Sequence, residues 1–119
     1  MTTEICEVII TADNQEWLLG FTRSLVRDRL AACGQHVMSI RSIYRWQGAI
    51  EDEGETRVAL HTRLSLVPTI VERTNREHSY DVPAVIALPI VAGNPAYIDW
   101  VLAETLDPAD VPIPVESAP

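Results

Sequence analysis

The stretch from His36 to Arg63 constrains this chain more than any other. It reads as two strands of unequal length joined by a short acidic turn. His36–Gly48 is about 13 residues, or ~43 Å at ~3.3 Å per residue. The returning run, Glu55–Arg63, is about nine residues, or ~30 Å. In it Thr56, Val58, Leu60 and Thr62 alternate with Glu55, Arg57, Ala59 and His61, the period of two of a half-buried strand. The turn is expected at Glu51, Asp52, Glu53 and Gly54. A chain of 119 residues folds to a radius of gyration of only ~13–14 Å, so the long strand is expected to overhang the body. Overhanging strands carry unpaired N–H and C=O groups, which proteins cover or use for pairing. An obligate oligomer is therefore expected.

The flanking segments supply the rest of a small domain. Ile5, Val8, Ile9 and Ile10 predict a buried strand. Asp13 and Asn14 are N-cap candidates for a helix with an apolar stripe of Trp17, Leu18, Phe21, Leu25, Val26 and Leu30. Gly20 inside it suggests close packing on a sheet, and Gly34 is expected to end it. On the long strand, Met38, Ile40, Tyr44 and Trp46 are expected on one face, apolar enough to bury, and Val37, Arg41, Ile43 and Arg45 on the other. A second helix is predicted from near Ser65, with Val67, Ile70, Val71 and Thr74 inward, stopping before His78. Val85–Val91 reads as a strand, with Pro89 marking an edge or bulge. Asn94-Pro95 starts a last helix carrying Tyr97, Ile98, Trp100, Val101 and Leu102.

The order is βαββαβ plus a short C-terminal helix. This predicts an α+β, ferredoxin-like sandwich with a long hairpin between its second and third strands. Both main helices are expected on one sheet face, leaving the other to a partner. Residues 1–106 are read as the domain and 107–119 as a Pro-rich tail, extended or disordered.

Composition narrows the function classes. The net charge is −8 and all nine cations are Arg. Phosphate binding needs clustered cations, so nucleic acid is not an expected partner. No apolar run approaches the ~18 residues of a membrane span, and residues 1–7 lack a signal-peptide pattern. With two cysteines in no redox spacing, a cytoplasmic protein with free thiols is the expectation.

No catalytic arrangement is read from the residues, and the chain is not expected to be an enzyme. Cys33 and His36 are three apart, but the helix is expected to end between them. The possible metal ligands Cys6, Cys33, His36, His61 and His78 are scattered and no pair has a structural-zinc spacing. Glu77-His78 is the best local metal candidate, although an imidazole there also suits a helix C-terminus. Arg41, Arg45, Arg57 and Arg63 are candidates for binding a small anion, since guanidinium matches carboxylate and phosphate.

Several strings together resemble the CutA (divalent cation tolerance) family. They are Thr11-Ala12-Asp13, Leu30-Ala31-Ala32-Cys33, Ser42-Ile43-Tyr44-Arg45-Trp46-Gln47-Gly48-Ala49-Ile50-Glu51, Thr62-Arg63, His78-Ser79-Tyr80-Asp81-Val82-Pro83 and Tyr97-Ile98-Asp99-Trp100. The resemblance spans Val8 to about Leu102. It implies a homotrimer with the architecture of PII-type signalling proteins, hairpins pairing across subunit boundaries, and a role in tolerance of divalent metals, copper foremost. It implies no certain cofactor beyond a divalent ion. His78, with Glu77, carries over as the metal candidate; Tyr44, Trp46, Arg45, Arg63, Tyr80 and Trp100 are expected at the inter-subunit cleft or trimer interface. A PII-like trimer binding an anionic metabolite in those clefts is the alternative. The chain departs from the family pattern at Ser79, Ala84, His61 and Ile10, where the family often has Pro, Glu, Lys and, in some members, Cys.

Overall fold

The computed structural model describes residues 3–113. Its elements are β1 (Ile5–Ala12), α1 (Gln15–Arg27), β2 (Cys33–Trp46), β3 (Ala49–Arg63), a 3-10 turn (Leu64–Leu66), α2 (Val67–Glu77), β4 (Val85–Pro89), α3 (Pro95–Glu104) and a 3-10 turn (Pro108–Asp110). The βαββαβ order expected from the sequence is present. The four strands form one antiparallel sheet in the order β2-β3-β1-β4. No helix among the described residues is long and apolar enough to cross a membrane.

The hairpin differs from the expectation in an instructive way. Its strands are nearly equal, 14 and 15 residues, and Trp46 pairs with Ala49. The reversal is therefore the two-residue loop Gln47–Gly48, with φ of 48° and 81°. Both residues at positive φ is the geometry of a type I′ turn, whose twist matches that of the flanking strands. Glu51, Asp52, Glu53 and Gly54 belong to β3 and pair with β2; they are not the turn. A register shift between Val37 and Ile40 also breaks the expected face assignment. Val37 and Ile40 lie opposite Arg57 and Glu55, two residues apart on β3 and hence on one face.

The overhang itself is present, formed by both strands. β1 supports β3 only from Thr56 to Arg63. From Ile40 to Glu55 the hairpin pairs with nothing but itself, and the radius of gyration, 15.2 Å, exceeds that of a compact domain of this length.

One sheet face is covered by α1 and α2. Val8, Ile10, Val58 and Leu60 bury against Leu18, Phe21, Leu25, Leu66 and Ile70. Asn14 caps α1 by accepting from the Trp17 amide at 2.9 Å. The helix ends at Arg27, not at Gly34; Arg29 takes the left-handed φ of 61° that turns the chain away. Gly34 lies in β2, facing α1 across a gap too narrow for a side chain. A Cβ there would stand 3.1 Å from Leu60 Cδ2 and Val58 Cγ2, and nearer still to Thr22 Cγ2.

Gly20, expected at a close contact, is exposed with nothing within 4 Å of where a Cβ would stand. Gly20→Ala should therefore raise stability by up to ~1 kcal/mol, read as an upward shift of the urea midpoint; a downward shift would show hidden contact.

The opposite face is only partly covered. α3, capped by Asn94 as expected, packs Val101, Ile98 and Leu102 over Ile5 and Ala32. Ile86, Leu88 and Val37 remain exposed. β4 pairs with β1 alone, so Pro89 does end an edge strand. The tail is more ordered at its start than expected: Asp107 caps the 3-10 turn, and Val111 packs against the main core. Pro114–Pro119 lie outside the described residues.

Candidate functional site

The residues singled out from the sequence fall at two ends of the sheet. At the first, α2 and β1 meet on His78. Its Nε2 donates to the Thr11 carbonyl at 2.8 Å, and its Nδ1 accepts from the Tyr80 amide at 3.0 Å. A ring donating at one nitrogen and accepting at the other is a single neutral tautomer. The ring is buried, edge-on to Trp17 and tilted against Tyr80. The Glu77 carboxylate is engaged by Arg73 Nε at 2.9 Å. The two expected metal ligands thus each have partners within the subunit. A cation at His78 has to displace either the Thr11 carbonyl or the Tyr80 amide. Among the described residues, no group of three or more His, Cys, Asp and Glu side chains is placed to hold a metal ion. A single copy therefore does not fit a bound divalent ion by itself.

Beside His78, a groove of about 1000 Å³ runs along the hairpin arm. Tyr44, Trp46 and Tyr80 give it aromatic walls; Asp13, Glu51, Glu53, Glu55 and Asp81 give it carboxylates. Tyr80 donates to Glu55 at 2.9 Å and Tyr44 to Glu53 at 3.2 Å. Both phenols are pushed up, first by desolvation and then by the carboxylates they touch. Arg41 lines the groove but is paired with Asp52 at 2.6 and 3.2 Å. Trp46 and Tyr44, expected to bury, are 42% and 39% exposed in the single chain.

The four candidate arginines are not brought together. Arg41 is at the groove, Arg45 is exposed beside the hairpin tip, and Arg57 is exposed on β3 opposite Thr11 and Val37. Arg63 is at the far end of β3. Its guanidinium donates to the Leu102 carbonyl at 2.6 Å and the Thr105 hydroxyl at 3.1 Å, tying the sheet to the end of α3. Trp100 sits nearby, half-exposed and tilted against Tyr97.

This second end holds a constellation the sequence reading missed. Cys33, His61 and Glu7 are direct cross-strand partners in one row over β2, β3 and β1. Their side chains share the face over which α3 lays Tyr97. His61 Nε2 is 3.0 Å from Glu7 Oε1, and His61 Nδ1 is 2.5 Å from Tyr97 Oη. Cys33 Sγ is 3.4 Å from Tyr97 Oη and 3.7 Å from His61 Nδ1. Cys33 and His36, three apart in the sequence, point to opposite sheet faces, His36 lying opposite Val58 and Cys33 opposite His61.

Comparison with known proteins agrees with the strings read above. The family described as CutA1 divalent ion tolerance protein matches residues 6–104. The chain is 39% identical over 98 residues to Protein CutA, chloroplastic, of Arabidopsis thaliana, covering 82% of this chain and 54% of that protein. It is 39% identical over 98 residues to the Divalent-cation tolerance protein CutA of Thermus thermophilus, covering 82% and 95%. The crystal structure of CutA1 from Oryza sativa matches with a TM-score of 0.85 at 36% identity, over 89% of this chain and 97% of that one. The chain spans about half the length of the Arabidopsis and mouse relatives and nearly all of the Thermus one. With the motif strings, the sheet order and these matches in accord, the chain belongs to the CutA1 divalent ion tolerance family.

Proposed function

We propose that this protein acts in the cytoplasmic response to divalent cations as a homotrimer, with cation ligands assembled between copies. The observation that carries this reading is the self-paired arm from Ile40 to Glu55. An isolated two-stranded ribbon is marginal in water. This one also exposes Ile43 and Ile50 at 68% and 69% and leaves Tyr44 and Trp46 half-covered. Neighbouring copies that pair with the arm and cover these side chains remove both liabilities at once. They also bring a second set of side chains to the carboxylate-lined groove, where one copy alone is insufficient.

The groove supports a cation over an anionic metabolite. Its five carboxylates oppose Arg41, whose charge Asp52 already balances. An anion there meets net repulsion, so the charge of this groove favours a cation over the anionic metabolite of the PII-like alternative.

Native mass spectrometry and titration calorimetry test the proposal. The expected result is a trimer at micromolar concentration that binds Cu²⁺ or Zn²⁺ with measurable heat, reduced when Glu51, Glu53 and Glu55 are changed together to Gln. A monomer at that concentration removes the assembly. A trimer without metal-dependent heat removes the cation site.

A further inference from the structure

We propose that Cys33 is a nucleophilic thiol, activated through Tyr97 and His61 and able to add to soft, uncharged carbon electrophiles such as α,β-unsaturated carbonyls. The inference does not depend on the cation reading, since none of these residues lines the groove. It rests on an arrangement in which each partner fixes the next. An ionised carboxylate only accepts, so Glu7 requires the proton of neutral His61 to sit on Nε2. Nδ1 is then the bare, basic nitrogen, and it faces the Tyr97 hydroxyl. With its O–H given to Nδ1, the Tyr97 oxygen is free to accept from the Cys33 thiol at 3.4 Å. A nucleophile within reach of a base that a third group orients is the general signature of activation.

The proton and electron count closes without a further reagent. The thiol proton passes to Tyr97 Oη as the phenol proton passes to His61 Nδ1, leaving a thiolate and an imidazolium beside the Glu7 carboxylate. The thiolate attacks the β-carbon of the electrophile, forming the S–C bond, and the π pair moves toward the carbonyl. The imidazolium proton returns through Tyr97 to the α-carbon. The net change is addition of S–H across C=C, with no oxidant. Tyr97 itself is pushed up to about 12, by burial first and then by its contact with Cys33 and the charge of Glu7, so it relays a proton without remaining ionised. The titratable groups facing Cys33 are His61 on β3 and Tyr97 on α3, with Glu7 on β1 behind the imidazole.

Cys6 is the internal control. It is buried in the core, and burial pushes its thiol up to about 11. The test is alkylation of the full-length native protein by acrylamide, followed by intact mass and peptide mapping. Cys33 is expected to react at least tenfold faster than Cys6 at pH 7. His61→Gln, Tyr97→Phe and Glu7→Gln should each slow Cys33 about tenfold or more. In His61→Gln the rate should also rise more steeply between pH 6.5 and 8.5 than in the wild type, a change that loosened packing does not produce. Should His61→Gln fail to fold, the Tyr97→Phe and Glu7→Gln proteins decide alone. Cys33 labelled no faster than Cys6, labelled only after denaturation, or labelled at wild-type rate in the folded variants overturns the proposal.

Discussion

Trp46→Ala is expected to convert the proposed trimer into smaller species at micromolar concentration and to lower the melting temperature sharply. Inside one chain Trp46 has little to lose: it lies at the end of an arm that contacts no other part of the sheet, and 42% of its surface is open. In a monomer its removal should cost well under 1 kcal/mol, as surface changes usually do. Buried between copies, a Trp is the kind of residue that dominates an interface, at ~2–4 kcal/mol or more, and a closed trimer loses that amount at three places. The two cases are therefore well separated. Sedimentation velocity gives the stoichiometry and thermal melting gives the stability. A Trp46→Ala protein that stays trimeric with wild-type melting places the indole outside any interface.

The second large effect is in the core. Gly34→Ala should destabilise the subunit by ~1–3 kcal/mol, the usual cost of overpacking. The added methyl has Leu60 and Val58 on one side and the Thr22 methyl on the other. The sheet-side neighbours lie in the middle of a buried ladder and cannot retreat. Thr22 can be shortened: Thr22→Ala removes the obstructing methyl together with a buried hydroxyl that has no hydrogen-bond partner among the described residues. The double variant Gly34→Ala/Thr22→Ala should therefore be more stable than the sum of the single changes predicts, by ~0.5–3 kcal/mol. Urea denaturation of all four proteins measures this coupling, and strictly additive losses would show that the methyl meets something other than Thr22.

The elements were largely readable because their signals are local. Asn94-Pro95 announces a helix start through a cap and a missing amide, and Val58 and Leu60 alternate as a half-buried strand must. The hairpin turn was not readable from composition. Four consecutive residues from Glu51 to Gly54 look like a solvated loop, whereas Gln47–Gly48 makes the reversal with backbone dihedrals alone. The available signal was the sequel to Gly48: Ile50 resumes the strand at once. That error propagated to the site. Cys33 faces His61 only in the register set by the Gln47–Gly48 turn together with the shift between Val37 and Ile40, so a turn placed several residues later hides the row over three strands. Tyr97 was hidden for a different reason. Nothing near Asn94 encodes where α3 lies on the sheet; Arg63 and Arg29 set that by holding the carbonyls of Leu102 and Ala103. His78 is expected from the sequence as a metal candidate; within the subunit it bonds the Thr11 carbonyl and the Tyr80 amide, clamping the exit of α2 onto β1.

The tight reversal at Gln47–Gly48 also bears on how assembly proceeds in time. A ribbon closed by two residues needs no distant part of the chain to form, and hairpins of this kind zip in ~1–10 μs. The arm, marginal on its own, can therefore form and re-form before the four-stranded body has sorted its non-local pairings, which are slower to find. In the proposed trimer, subunit encounter then becomes the concentration-dependent step. Dilution during refolding should slow recovery of the assembled protein while leaving the early backbone signal of the arm unchanged.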